Sequence, residues 1–290
     1  MNICLVVLAW NHIEDTLECL TSAFAMTRQP EHVVVADNGS TDGTPEKVAA
    51  VYSNVTVVRS STNLGIAAGY NLGINAAAAL GVSHVLVTNN DVAFAPEALA
   101  SLESAAEREP GDGMFMPKIH HYYGDRTRVW CIGGRWRRFP PDVKMMAYNV
   151  PDSPRYARSF PLQYAPSCTL LISTRALAEV GAFDDGYFFY YDDWDFSARL
   201  RQAGFGIRYV HDAIIYHKVS VSTQHSDRPT QWWETMGRSS VRFYRKHSNT
   251  LSLAIMTAWF TARELAKGKP ARVPAYLRGV LSAWRQEHGQ

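Results

Sequence analysis

Carboxylates gather where apolar runs of this 290-residue chain break off. Asp37 ends VVVAD, Asp91 ends the NND that follows VLVT, and Asp192, Asp193 and Asp195 crowd into four residues behind FFYY. His217 follows AIIY. A hard divalent cation takes oxygen ligands and keeps positions open for a substrate phosphate. Asp91 with an amide from Asn89 or Asn90 suits such an ion, Mg²⁺ or Mn²⁺, and neutral His217 would complete the set, with His211 the weaker candidate. Three carboxylates in four residues repel one another unless a cation or a proton transfer offsets the cost. Asp192 as a helix cap and Asp195 paired with Arg199 one turn on account for two of them. Asp193 is left for chemistry. Asp37 has two readings: a turn residue bonding its own backbone, or an acceptor for a pyrimidine N–H. Plainer readings stand beside the others too: a turn for Asn89-Asn90-Asp91 and a structural histidine for His217.

The elements that must position these groups follow from periodicity. Strands are expected at 3–9, 31–36, 55–59 and 82–88, alternating with helices at 13–25, 44–50 and 66–80. That alternation predicts an α/β fold, a mostly parallel central sheet with helices on both faces. Ligands of such sheets collect at the carboxyl ends of the strands, and Asn11, Asp37, Asn63 and Asp91 all fall there. Gly65, Gly69 and Gly73 recur every four residues, one face of a helix that can approach the sheet closely. This is not the GxGxxG of a dinucleotide fold, and Asn63, just ahead of the helix, is better placed for a ligand. Residues 111–160, rich in Gly, Pro, Arg and aromatics, read as irregular or short-stranded. Order resumes with strands at 169–173 and 206–210 around a helix at 193–203.

Composition narrows the class. Hydrophobic residues are 47% and charged residues 19%, as in a globular protein. The N-terminal MNICLVVLAWNH reads as a first strand rather than a signal peptide, and no run is long enough to span a bilayer. Four dispersed cysteines argue against zinc and for reduced thiols, so a cytoplasmic location is expected. No nucleic-acid partner is expected. The net charge of +2 is unevenly spread: from Thr235 onward ten Lys/Arg face two Asp/Glu, so this end carries +8 and the rest −6. That end also holds an apolar stretch, Leu251 to Phe260, followed by Arg263, Lys267, Lys269 and Arg272. Beyond it Tyr276, Leu277, Val280, Leu281 and Trp284 recur at helical spacing, with Arg278 and Arg285 nearby. Two readings stay open: these helices pack on the rest of the chain, or they rest on an anionic membrane at its cytoplasmic face, with Trp259 and Trp284 at headgroup depth.

Six segments taken in order, VVLAWNHIEDTLECL, VVVADNGSTDGT, NLGIAAGYNLGINAA, VLVTNNDVAF, VGAFDDGYFFYYDDWDFSARLRQAGF and IIYHKVSVS, resemble the family 2 glycosyltransferases of GT-A fold, in particular their bacterial rhamnosyltransferase-like branch. The resemblance implies a catalytic unit at 1–234, with a nucleotide part to about 110 and an acceptor part beyond it, then a basic helical tail at 235–290. It implies inverting transfer of a sugar, rhamnose first among the candidates, from a dTDP- or UDP-linked donor to a glycan or lipid-linked acceptor. Asp37 would meet the base and Asn63 the nucleoside. Asn11, Gly65, Asn71, Asn89, Asn90 and Asp192 are read as substrate-binding positions. Asp91 and His217 would hold Mg²⁺ or Mn²⁺ at the diphosphate, Asp193 would be the base, and Arg238 a second phosphate clamp. The chain departs from the family pattern at Asn89, where Asp is common, and at Asp192, which replaces Glu.

A sugar-1-phosphate nucleotidyltransferase would want a basic, Gly-rich loop after the first strand, where Trp10-Asn11-His12 stands. A sugar-nucleotide-binding protein without catalysis would have no use for Asp91, Asp193 and His217 together.

Overall fold

The computed structural model describes residues 1–124, 126–219 and 230–288. Its first half is a run of strand–helix units: β1 (Ile3–Ala9), α1 (Ile13–Phe24), β2 (His32–Asp37), α2 (Thr44–Val51), β3 (Thr56–Arg59), α3 (Ile66–Ala78) and β4 (His84–Asn89). β1 is buried at every position, as expected of a strand covered on both faces. It pairs in parallel with β2 and β4, and β2 in parallel with β3. α3 lies close on this sheet because of its glycines: a Cβ at Gly73 would collide with the Val6 side chain, and one at Gly69 with Leu8.

The second half is built differently. β5 (Val92–Phe94) and α4 (Ala98–Arg108) lead into β6 (Asp112–His121), β7 (Arg128–Cys131), the small ribbon β8 (Gly134–Trp136) with β9 (Val143–Met145), β10 (Val150–Pro151), β11 (Phe160–Leu162) and β12 (Thr169–Ser173). α5 (Thr174–Val180), α6 (Asp192–Gln202) and β13 (Gly206–His217) follow. The main sheet runs β10-β7-β6-β12-β4-β1-β2-β3, with β13 joined to β6, β5 and β11. β12 is antiparallel to both β4 and β6. The sheet is therefore parallel through its strand–helix units and mixed beyond them, where short connections replace helical crossovers.

The short strands β7 to β11 agree with the expectation of irregular or short-stranded sequence at 111–160, and β6 departs from it: eight of its ten positions are buried. Pro117 lies inside it, where a proline normally breaks a ladder. The structure accommodates it because β13, its neighbour, bulges between Val210 and Ile214, directly after the Val210–Pro117 pairing.

Three helices close the chain: α7 (Thr230–His247), α8 (Thr250–Ala266) and α9 (Arg272–His288). α7 crosses the 234/235 division expected between catalytic unit and tail. Phe243 and Tyr244 of α7 and Leu253 and Met256 of α8 belong to the main core. α7 and α9 touch backbone to backbone, since a Cβ on Gly237 would strike Tyr276 O and one on Gly279 would strike Glu234 O. Tyr276 is buried, Val280 and Trp284 pack against the core, and Arg245 stacks on the Trp284 ring at 5.8 Å. That side of α9 faces inward, so Trp284 serves packing rather than headgroup depth. Among the described residues no helix is long and apolar enough to cross a membrane.

Candidate active site

Asp91 and His217 come from strands far apart in sequence that the sheet brings side by side. β5 pairs antiparallel with β13, matching Val92 to His217, and Lys218 N donates to Asp91 O. The result sets His217 Nε2 3.2 Å from Asp91 Oδ1, both groups largely buried. Two ligands of one octahedral ion at ~2.1 Å lie ~3 Å apart, so the pair fits a shared divalent cation. His217 Nδ1 is buried without a hydrogen-bond partner, and the ring stands edge-on to Trp130. Among the described residues no cluster of three His, Cys, Asp or Glu side chains is placed to hold a metal. Such an ion would draw its remaining ligands from substrate phosphates and water. His211 lies elsewhere on β13, with Nδ1 3.1 Å from Ser159 Oγ.

The acidic cluster opens α6. Tyr190 and Tyr191 enter it with φ of 63° and 67°, a conformation uncommon for bulky residues and a mark of a turn fixed by its surroundings. Tyr191, not Asp192, occupies the cap position. Asp192 is 3% exposed and accepts from Ser167 Oγ at 3.0 Å. Asp193 is half-buried and accepts from Tyr164 OH at 2.5 Å and from its neighbour's backbone, Trp194 N. Burial raises the pKa of both carboxyls, and the adjacent Asp192 charge pushes Asp193 up further, against the Tyr164 hydrogen bond. Asp195 goes the other way. It is fully buried, yet contacts with His247, Lys246 and Arg199 outweigh that burial and hold it well below the usual carboxylate range. His247 Nε2 and Arg199 Nε each lie 2.7 Å from its oxygens, and Lys246 Nζ lies 2.8 Å away. The expected Asp195–Arg199 pair is present, and Asp195 also anchors α6 to α7.

The two acidic segments are joined through Tyr70. Its hydroxyl lies 2.6 Å from Asn89 Oδ1 and 2.7 Å from Ser167 O, and Ser167 reaches Asp192. With one proton to give, the phenol serves both only if the Asn89 amide is turned to donate. Tyr70, Tyr164 and Ser167 escaped the sequence reading because nothing in their local sequence sets them apart from ordinary core and loop residues.

Several residues expected at the substrate also brace the framework. Asn11, at φ 57°, accepts from Thr41 N through Oδ1 and from Asn90 Nδ2 through its carbonyl, tying three loops together. Asn90 also donates to Thr16 Oγ1. Asn71 accepts from Phe183 N at 3.0 Å and donates to Phe183 O at 2.7 Å, which clamps that loop. Gly65 (φ 87°) lets the backbone pass Phe188, whose carbonyl a Cβ would strike. Asn63 Oδ1 accepts from Gly65 N and from Asn38 Nδ2, and Asn38, missed in the sequence, braces the same turn. Asp37 has no exposed surface, accepts from Ser40 N and lies 3.2 Å from Arg59 Nε. Arg59 is half exposed and therefore the group of that pair that solvent can reach. Arg238, on α7, pairs with Glu234 one turn away at 2.6 Å.

With this geometry in view, the likenesses to known proteins become specific. The chain resembles three solved structures over nearly its whole length: GalNAc-T7 with UDP, GalNAc and Mn²⁺ (TM-score 0.64, 14% identity, 93% of this chain and 58% of that one), S. aureus TarS 1-349 (0.58, 17%, 99% and 73%), and the mannosyltransferase PcManGT of Pyrobaculum calidifontis with GDP-Man and Mn²⁺ (0.56, 16%, 97% and 74%). The fold is thus that of the GT-A sugar transferases, with a central sheet flanked by helices and a C-terminal helical segment. A model of the family described as glycosyl transferase family 2 matches residues 4–162. The N-acetylglucosaminyl-diphospho-decaprenol L-rhamnosyltransferase of Mycobacterium tuberculosis is 30% identical over 272 residues, which cover 80% of this chain and 85% of that protein. The chain belongs to glycosyl transferase family 2 and is an enzyme that transfers sugar from a nucleotide-sugar donor to an acceptor.

Proposed function

We propose that this enzyme is an inverting, metal-assisted transferase that moves rhamnose from a dTDP-linked donor to a hydroxyl of a lipid-linked diphosphosugar. The observation that carries the proposal is the Asp91–His217 pair on the sheet edge, joined through Asn89, Tyr70 and Ser167 to the acids that open α6. The mycobacterial relative supports the sugar and the lipid-linked acceptor.

Asp193 is the base in this reading. It keeps some exposure while Asp192 and Asp195 are buried, and Tyr164 and Trp194 N fix its carboxylate. A sugar hydroxyl is a poor nucleophile at neutral pH, and removing its proton during attack contributes roughly 10²–10⁴-fold. A raised pKa makes Asp193 a better proton acceptor than an ordinary carboxylate. Attack from the face opposite the leaving diphosphate inverts the anomeric carbon. Asp91 and His217 would hold Mg²⁺ or Mn²⁺, which when bound supplies Lewis-acid stabilisation of the leaving diphosphate. Arg59, beside Asp37, offers a cation at the nucleotide edge.

The test is release of nucleoside diphosphate from a panel of dTDP-, UDP- and GDP-sugars, with a polyprenyl-diphospho-N-acetylglucosamine acceptor, before and after EDTA. The dTDP-rhamnose reaction should be fastest, stop in EDTA and return with Mn²⁺ or Mg²⁺. His217→Ala should weaken nucleotide binding in the presence of metal only. Preference for another donor would overturn the rhamnose assignment, and nucleotide affinity indifferent to EDTA would remove the metal.

A further inference from the structure

α8 is apolar on both its inward and its outward face. Its inward face carries Leu253, Met256 and Phe260 and also a carboxylate, Glu264, only 1% exposed. Its outward face carries Leu251, Ile255, Trp259 and Leu265, with alanines at the positions between them and no charged residue. Leu251 is 68% exposed, Leu265 53% and Trp259 39%. A surface helix ordinarily shows water its polar side, and a continuous apolar face left outward marks an interaction site.

Among the described residues, the exposed charges at the C-terminal end of α8 have one sign. Glu264 is held inside by Arg263 Nε and Arg272 Nη1, each at 3.0 Å, and so presents no anion there. Arg263 keeps 38% of its side chain exposed at the margin of the apolar face, and exposed Lys267 and Lys269 follow the helix end. Apolar side chains with an interfacial tryptophan, bordered by cations, are what the headgroup region of an anionic bilayer accepts. A second copy of the chain fits less well. One helix face of 17 residues measures roughly 25 Å by 10 Å, about 250 Å², against about 800 Å² per partner in a stable dimer.

We propose that the outward face of α8 docks on an anionic lipid surface, with the helix lying in the plane of the interface. At 17 residues α8 is too short to span the hydrocarbon. α8 is built into the core through Leu253 and Met256, so docking the helix docks the catalytic domain. The surface suits a lipid-linked acceptor but does not depend on that assignment.

Flotation of the full chain with phosphatidylcholine vesicles, with and without phosphatidylglycerol, tests this without donor or acceptor. The chain should float with the anionic vesicles at low salt, and less at high salt. Lys267→Gln with Lys269→Gln should lower partition about fivefold per cation. Leu251→Gln, Trp259→Gln and Leu265→Gln together should abolish it while the melting temperature and turnover of a soluble acceptor stay as in the wild type. If the full chain never floats with anionic vesicles at low salt, or the triple variant floats as well as the wild type, the surface is not a lipid-docking one. A dimer in solution that the triple variant splits, without vesicle binding, would assign the face to a second copy instead.

Discussion

Asp192 and Asp193 are adjacent in the chain, but the fold gives them different partners. Ser167 bonds to a carboxylate that is almost closed off, and Tyr164 to one that keeps some exposure. Both pKa values are raised, first by burial, and Asp193 is raised further by the charge of Asp192. A base must be ionised, so the acid limb of the pH–rate profile should lie above the ordinary carboxylate range. Tyr164→Phe removes a hydrogen bond that favours the charged form, and the limb should then move further up in pH, with less loss of rate on its alkaline side. A limb unmoved by Tyr164→Phe would show that Asp193 does not set it. The carboxylates and His217 were legible as candidates because their residue types are costly to place at strand ends without a purpose. Tyr164, Ser167 and Arg59 were not, because their roles exist only once the sheet has assembled.

At the scale of elements, α6 and α7 are locked by one carboxylate. Asp195 lies inside, among Arg199, Lys246 and His247. Its folded pKa is depressed, so its contribution to stability is present above the unfolded value near 3.8 and is lost as pH falls through the lower folded value. Asp195→Asn leaves the Arg199 and Lys246 cations, with His247, around a neutral group and should cost ~3–5 kcal/mol, the range for breaking a buried pair. Denaturant titration at neutral pH measures this, and the gap to wild type should narrow on acidification. The first four strands and three helices were readable from periodicity because each is a strand–helix unit with its own pattern. β6 was not, since Gly113 and Pro117 in its sequence argue against a strand, and only the bulge in β13 makes room for the proline. The clamp that Asn71 makes was not readable for a related reason: its loop partner, Phe183, lies 112 residues away.

Across the whole molecule, the −6 and +8 portions seen in the sequence are not separable bodies. α7 carries two of Asp195's partners, Lys246 and His247, α8 feeds the core, and α9 is pressed against α7 at Gly237 and Gly279. On α8 the packing seen in the structure uses the inward face, and the proposed lipid contact would use the outward one. The acidic centre adds a second global consequence. A carboxyl whose folded pKa is raised destabilises the fold as pH rises from its unfolded to its folded value, so replacing Asp193 with a neutral isostere should raise the melting temperature at neutral pH. Activity and stability should then move in opposite directions at this residue.

Asp193→Asn therefore tests the account most directly, measured as transfer rate, donor affinity and melting temperature on one preparation. The account predicts a loss of 10²-fold or more in transfer, donor affinity close to wild type, and a melting temperature no lower than wild type. A variant that keeps more than about a tenth of the wild-type rate would contradict it, and the proton would have to leave by way of another group.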